Sequence, residues 1–174
     1  SIIIIFSDHG CSLGEQIGEK IYGSFCYDYT IMTYSIFLHD KLFPKKKFSQ
    51  LVRTVDFMPT ILDVLQIPLD KNNMELDGKS LVSLMDGSES GSRIGFCETG
   101  GLGDPYPSPK APNVHCVRAE KWKLIFNRTP KTYELYEVDD DPDEKNNLYG
   151  KKGFEKIQKK LLKELRTKIL KIEF

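Results

Sequence analysis

Apolar residues run without interruption from Ile2 to Phe6 and stop at Ser7-Asp8-His9-Gly10. A β-branched run with no polar alternation is the signature of a strand covered on both faces, so the pattern predicts a central strand of a parallel sheet. Its carboxyl end would deliver Ser7 to Gly10, the edge at which open α/β sheets hold their ligands. Residues 11–28 are irregular, with Gly14, Gly18 and Gly23 among them, and read as a long loop. Thr30 to Leu38, rich in Thr, Ile, Tyr and Phe, predicts a second strand.

After the basic loop Lys45-Lys46-Lys47, read as a solvated turn, a helix is signalled by Asp56 as N-cap and by Pro59 in the first turn, where its missing N–H costs nothing. Phe57, Ile61, Leu62, Val64 and Leu65 form its apolar face, and Pro68 ends it. Lys71 to Asn73 and Asp77-Gly78 are turn chemistry, and Ser80 to Met85 predicts a short helix capped by Ser80. The texture then changes to strands over Arg93–Glu98, His115–Arg118, Trp122–Asn127 and Tyr133–Val138, whose hairpin spacing makes them antiparallel. Gly100 to Pro112, rich in proline and glycine, is a loop able to overhang a site. Phe154, Ile157, Leu161, Leu165, Ile169 and Ile172 recur at three- and four-residue steps, which defines an amphipathic helix packed over the small sheet.

Composition narrows the function classes. In a chain of 174 residues the 25 Lys and Arg cancel the 25 Asp and Glu, so no overall field recruits nucleic acid or an anionic bilayer. The longest apolar run is five residues, against the roughly 20 that a membrane-spanning helix needs. Cys11, Cys26, Cys97 and Cys116 are dispersed without a Cys-x-x-Cys pair, which argues against structural zinc and for free, buried thiols suited to a reducing compartment. Asn127-Arg128-Thr129 is a formal glycosylation sequon of a kind that is common by chance. The chain enters a strand pattern at its second residue with neither Met nor leader, so a preceding N-terminal portion is expected, and the apolar first strand predicts a partner surface open to self-association.

Chemistry concentrates at Asp8 and His9. A carboxylate oxygen and an imidazole nitrogen at a strand end form part of a shell for a divalent cation, with Gly10 permitting the chain to turn. Two donors are fewer than such a site requires. Asp28, Asp40, Asp56 and Asp63 sit singly, and His39 and His115 lack sequence neighbours of the right type. Asp139 to Glu144 lacks the central glycine of a calcium loop and reads as a solvated turn. Lys20 is placed to neutralise an anionic substrate or to be an ordinary loop lysine. There is no Gly-x-Ser-x-Gly, no phosphate-binding Gly-x-x-x-x-Gly-Lys and no cysteine with an evident His partner.

Ile2 to Gly10 followed by Leu13-Gly14-Glu15 resembles the C-terminal metal-binding signature of the sulfatases, within the alkaline phosphatase superfamily. Three later stretches fall in the family's order: Val55 to Leu62, Asp77 to Leu81, and Tyr133-Glu134-Leu135-Tyr136 running into Asp141 to Glu144 and Asn146-Asn147-Leu148. The resemblance implies an α/β fold class: residues 1–85 end a mostly parallel sulfatase-like sheet domain, and 86–174 form a small antiparallel sheet subdomain with a C-terminal helix. It implies that Asp8 and His9 are ligands of a divalent metal ion, calcium by the family, while an Asp-plus-His pair also suits manganese, magnesium or zinc.

The implied activity is hydrolysis of a small-molecule sulfate ester, with a phosphate or phosphonate ester as the alternative. The family's Cys/Ser-x-Pro-x-Arg nucleophile motif is absent, so the chain is expected to be a C-terminal fragment, inactive alone. The His-Gly and Gly-Lys that relatives show after the Asp-His signature are replaced here by Glu19 to Ser24. A reading from another class stays open beside these: a non-catalytic remnant serving as a binding or oligomerisation module.

Overall fold

The structure, a computed structural model, describes residues 1–16, 25–68, 76–100 and 113–172, with side chains up to residue 169 in the last helix. Lys20, the turn at 71–73 and loop residues 101–112 lie outside them. The chain divides into two compact units, Ser1–Asp8 with Tyr34–Arg93, and His9–Thr33 with Ile94–Phe174.

In the first unit, β1 (Ile3–Phe6) pairs antiparallel with β2 (Ser35–Leu38), Ile3 opposite Leu38 and Phe6 opposite Ser35. The apolar run therefore does form a strand, but its neighbour among the described residues is antiparallel. The expected burial is also absent on one face: Ile3, Ile5, Ile36 and Leu38 are 53%, 46%, 47% and 46% exposed. The other face is only partly packed: Phe37 and Phe6, the latter still 51% exposed, both meet the ring of Phe57 edge-on, at 5.3 and 5.4 Å. Phe57 opens α2 (Phe57–Val64) and joins Leu81 and Leu84, the latter within α3 (Val82–Met85), in the core of this unit. Pro59 sits in the first turn of α2 as expected.

Two caps differ from expectation. Asp56 is the N-cap residue of α2 as expected, but its carboxylate does not bond the helix; it turns back onto the 3-10 turn Thr54–Asp56 and accepts from the Arg53 N–H at 3.0 Å. Ser80 precedes the N-cap position of α3, which is Leu81, yet its hydroxyl accepts from the Val82 N–H of the first turn at 3.2 Å while donating to Asp63 at 2.5 Å.

In the second unit, β3 (Ile94–Thr99), β4 (Val114–Ala119), β5 (Trp122–Asn127) and β6 (Thr132–Glu137) form an antiparallel sheet in sequence order. The register aligns Cys97, Cys116, Ile125 and Glu134 on one face and Val117, Leu124 and Leu135 on the other. That second face is covered by α4 (Glu155–Ile172), whose Leu161 and Leu165 are fully buried against Val117, Ala119, Leu124 and Leu135. Burying one such leucine contributes about 1.5–3 kcal/mol.

The opposite face is covered by residues 25–31, where Cys26 meets Val114, Cys116, Ile125, Tyr136 and Val138. Part of the expected strand Thr30–Leu38 is a single helical turn instead, α1 (Asp28–Ile31), in which Met32 N–H donates to the Asp28 carbonyl at 2.7 Å. The β-forming composition of these residues yields to their side-chain and backbone engagement with the sheet. All four cysteines are free, with Cys26 and Cys116 buried and Cys97 half-buried; Cys11 is exposed, against expectation. Asn127 of the sequon is buried on an inner strand and its Nδ2 donates to Glu134 at 2.6 Å.

Candidate functional site

β1 ends at Ser7, whose N–H donates to the Tyr34 carbonyl at 3.2 Å while its hydroxyl accepts from the Tyr34 N–H at 3.2 Å. The next two residues are Asp8, exposed, and His9, half-buried. Nδ1 of His9 lies 2.5 Å from the Gly10 carbonyl oxygen. A carbonyl only accepts, so Nδ1 is the donor in this contact.

Gly10 is required for space rather than for an unusual φ. Its N–H donates to the Thr30 carbonyl at 2.7 Å, and an added β-carbon would fall 2.1 Å from the Tyr29 carbonyl oxygen and 3.3 Å from that of Met32. The backbone after His9 is thereby docked on α1. Leu13-Gly14-Glu15 closes on itself: the Glu15 carboxylate accepts from the Leu13 N–H at 2.6 Å and from the Ser12 hydroxyl at 3.2 Å. These bonds, the Leu13 amide first, hold its pKa below the ordinary glutamate value.

The donor chemistry fits a divalent cation in kind, a hard carboxylate oxygen and an imidazole nitrogen. It is incomplete in number: among the described residues no group of three or more His, Cys, Asp or Glu forms that could hold a metal ion. Of the other candidates, Asp63 accepts from Ser80, and His39 accepts from the Lys41 N–H at 3.2 Å. His115 is buried between the rings of Phe96 and Phe126, each 6.3 Å away.

Two charged nodes were not singled out from the sequence. In the first unit, buried Asp56 binds Arg53 Nη2 at 2.7 Å, the Lys79 N–H at 2.9 Å and Arg93 Nη1 at 3.1 Å. Burial by itself raises the Asp56 pKa, but the Arg53 and Lys79 hydrogen bonds outweigh it and the net direction is down. Gly78 makes the Lys79 bond possible, since a β-carbon there would sit 1.8 Å from the Val55 carbonyl oxygen.

In the second unit, Lys123 is fully buried, with Nζ paired to Asp28 Oδ1, 2.7 Å from Glu144 Oε1 and 3.2 Å from the Cys26 carbonyl. Glu144 is buried too, so the acid-rich turn is not simply solvated. Burial pushes its carboxyl above the usual range, and attraction to Lys123 pulls back without reversing the direction. The sequence did carry one signal: Lys123 alternates with Ile125 on a strand whose faces are both covered, a position at which a lysine needs partners.

A family model described as N-sulphoglucosamine sulphohydrolase, C-terminal, matches residues 24–171. The N-acetylglucosamine-6-O-sulfatase of Bacteroides thetaiotaomicron is 28% identical over 172 residues, 95% of this chain and 29% of that protein. A structure solved in complex with its substrate D-glucosamine-2-N,6-O-disulfate superposes with a TM-score of 0.72 at 24% identity, covering 96% of this chain and 33% of the other. The phosphonate monoester hydrolase of Agrobacterium radiobacter superposes with a TM-score of 0.71 at 22% identity, covering 96% and 35%. The chain thus spans about a third of the length of these proteins, and the structural matches show a common fold. No described helix is long and apolar enough to cross a membrane.

Proposed function

The chain belongs to the N-sulphoglucosamine sulphohydrolase C-terminal family, and from that premise we propose that it forms the C-terminal part of a metal-dependent sulfatase. In this reading residues 1–85 close the catalytic α/β domain and 86–174 are its antiparallel subdomain. The rest of the catalytic fold covers the apolar face of Ile3, Ile5, Ile36 and Leu38, and supplies both the nucleophile and the remaining metal donors. The chain alone is then inactive.

The observation that carries the proposal is the pair at the end of β1. Asp8 offers a carboxylate oxygen, and with His9 Nδ1 donating to the Gly10 carbonyl, Nε2 is the ring atom we assign to the cation. A divalent cation bound there, calcium by family, orients an anionic ester and stabilises the charge that develops on its oxygens. Asp8 and His9 are held for this by Ser7 on one side and Gly10 on the other. Sulfated amino sugars are the first substrates to try, since the relatives named above act on or bind them.

The test is hydrolysis of a sulfate monoester by the full polypeptide that carries this chain, before and after EDTA and again after calcium is restored. Turnover that EDTA abolishes and calcium returns is the expected result; unchanged turnover in EDTA overturns the metal role. The shared fold with a phosphonate monoester hydrolase favours one second reading, a phosphonate or phosphate ester hydrolase. A higher kcat/KM on a phosphonate monoester than on the sulfate ester would select it.

A further inference from the structure

Residues 9–16 contain no buried apolar side chain; Ser12 is their one fully buried residue. Apolar packing therefore does not fix the course of the segment that begins with His9, and polar contacts must. Two polar anchors to the rest of the unit stand out among the described residues. Near the start, the Gly10 N–H donates to Thr30 in α1 at 2.7 Å. At the end, the Gln16 amide donates to the carbonyls of Asp143 and Glu144 at 3.1 and 3.0 Å.

Both anchors lead to one cluster. Asp28, the first residue of α1, pairs through its carboxylate with Lys123, and its N–H donates to Glu144 Oε2 at 2.5 Å. Glu144 pairs through its other oxygen with Lys123 at 2.7 Å. It adopts a positive φ of 52°, which a glutamate takes up at a cost that these bonds must offset. Lys123 Nζ also donates to the Cys26 carbonyl at 3.2 Å, two residues before Asp28. Arg118 Nη2 stands 3.7 Å from Asp28 Oδ2, so two cations face two carboxylates with no net charge.

Buried ion pairs contribute little net stability compared with apolar groups of the same volume, and their directional bonds can instead select one arrangement of the chain. We infer that Lys123, Glu144 and Asp28 are positioning residues that fasten α1 and the acid-rich turn to the sheet, and through Gly10 and Gln16 set the placement of His9. The inference rests on the proposed role of His9 in cation binding. Its own readout is independent of that role.

Amide hydrogen exchange of the full polypeptide that carries this chain, resolved by residue, tests it in the double variant Lys123→Met/Glu144→Leu, which removes one positive and one negative charge together and keeps apolar volume. The expected result is exchange of the Gly10 amide faster by about tenfold or more, while the amides of β4 and β5 and the thermal midpoint stay near wild type. A Gly10 amide as protected as in wild type overturns the inference, and so does an increase shared equally by β4 and β5. If the double variant does not fold, Asp28→Asn decides by the same comparison, because it keeps the Lys123 and Glu144 pair. Calcium chloride titration of the wild-type full polypeptide, which carries the remaining donors, followed by the His9 ring resonances, tests the other premise separately. Gly10 loosening in the variant together with unmoved His9 resonances would contradict the cation role and leave the positioning intact.

Discussion

Gly10 lies so close to Tyr29 that a β-carbon on it would sit 2.1 Å from the Tyr29 carbonyl oxygen. Gly10→Ala must therefore push the loop off α1 and break the bond from its N–H to Thr30. The expected cost is about 1–3 kcal/mol in urea unfolding, the range for forcing extra volume into a packed site. In the full polypeptide the loss of sulfate ester turnover should exceed what that destabilisation explains.

The glycine at 78 makes a parallel prediction in the first unit. Gly78→Ala displaces the Val55 backbone and with it the bond from Lys79 N–H to Asp56. Asp56→Ala goes further and leaves the buried Arg93 without one of its two carboxylates, at a cost of about 3–5 kcal/mol. Denaturant titration of each variant checks the order: Asp56→Ala should be the less stable of the two.

Acid should weaken the same node. Glu89 binds Arg93, Lys79 and Ser83, and these partners, Arg93 first, lower its pKa from 4.5 to about 2. Asp56 is lowered as well. Between pH 4.5 and about 2 the unfolded chain binds more protons at Glu89 than the folded one, so stability falls as pH drops through that window. Thermal midpoints measured from pH 6 to pH 2 should be nearly flat at first and then decline. Glu89→Gln should lower the plateau and flatten the decline.

The second unit has its core under α4. Leu161→Ala, at a fully buried position against Val117 and Leu124, should cost about 2–5 kcal/mol by chemical denaturation. Lys159→Ala, on the exposed face of the same helix, should cost less than about 0.5 kcal/mol.

The sequence made some of this readable and some not, for physical reasons. α4 announces itself because it buries one face and so writes a helical period into the sequence, and the four strands of the sheet, covered on both faces, announce themselves by their β-branched and aromatic runs and hairpin spacing. Ile2 to Phe6 buries no such periodic face; a continuous apolar run states that a strand is there but not which way its neighbour runs, and β2 proves antiparallel. Thr30 has the composition of a strand and the position of a helical turn, because Glu144 and Gly10 hold α1 from outside the local sequence. Glu144 was concealed in a run of acids that looks solvated; a single positive φ turns it inward while Asp139, Asp140 and Asp143 stay exposed. The Asp8-His9 pair was visible as chemistry, whereas its proton assignment depends on a 2.5 Å contact to Gly10 that no spacing could give.

The most direct test of the central claim compares wild type with Asp8→Ala in the full polypeptide, measuring calcium affinity and sulfate ester turnover in the same preparation. If Asp8 holds the cation beside His9, calcium affinity and kcat/KM should each fall by about tenfold or more. Wild-type calcium affinity together with wild-type turnover in Asp8→Ala would contradict the account.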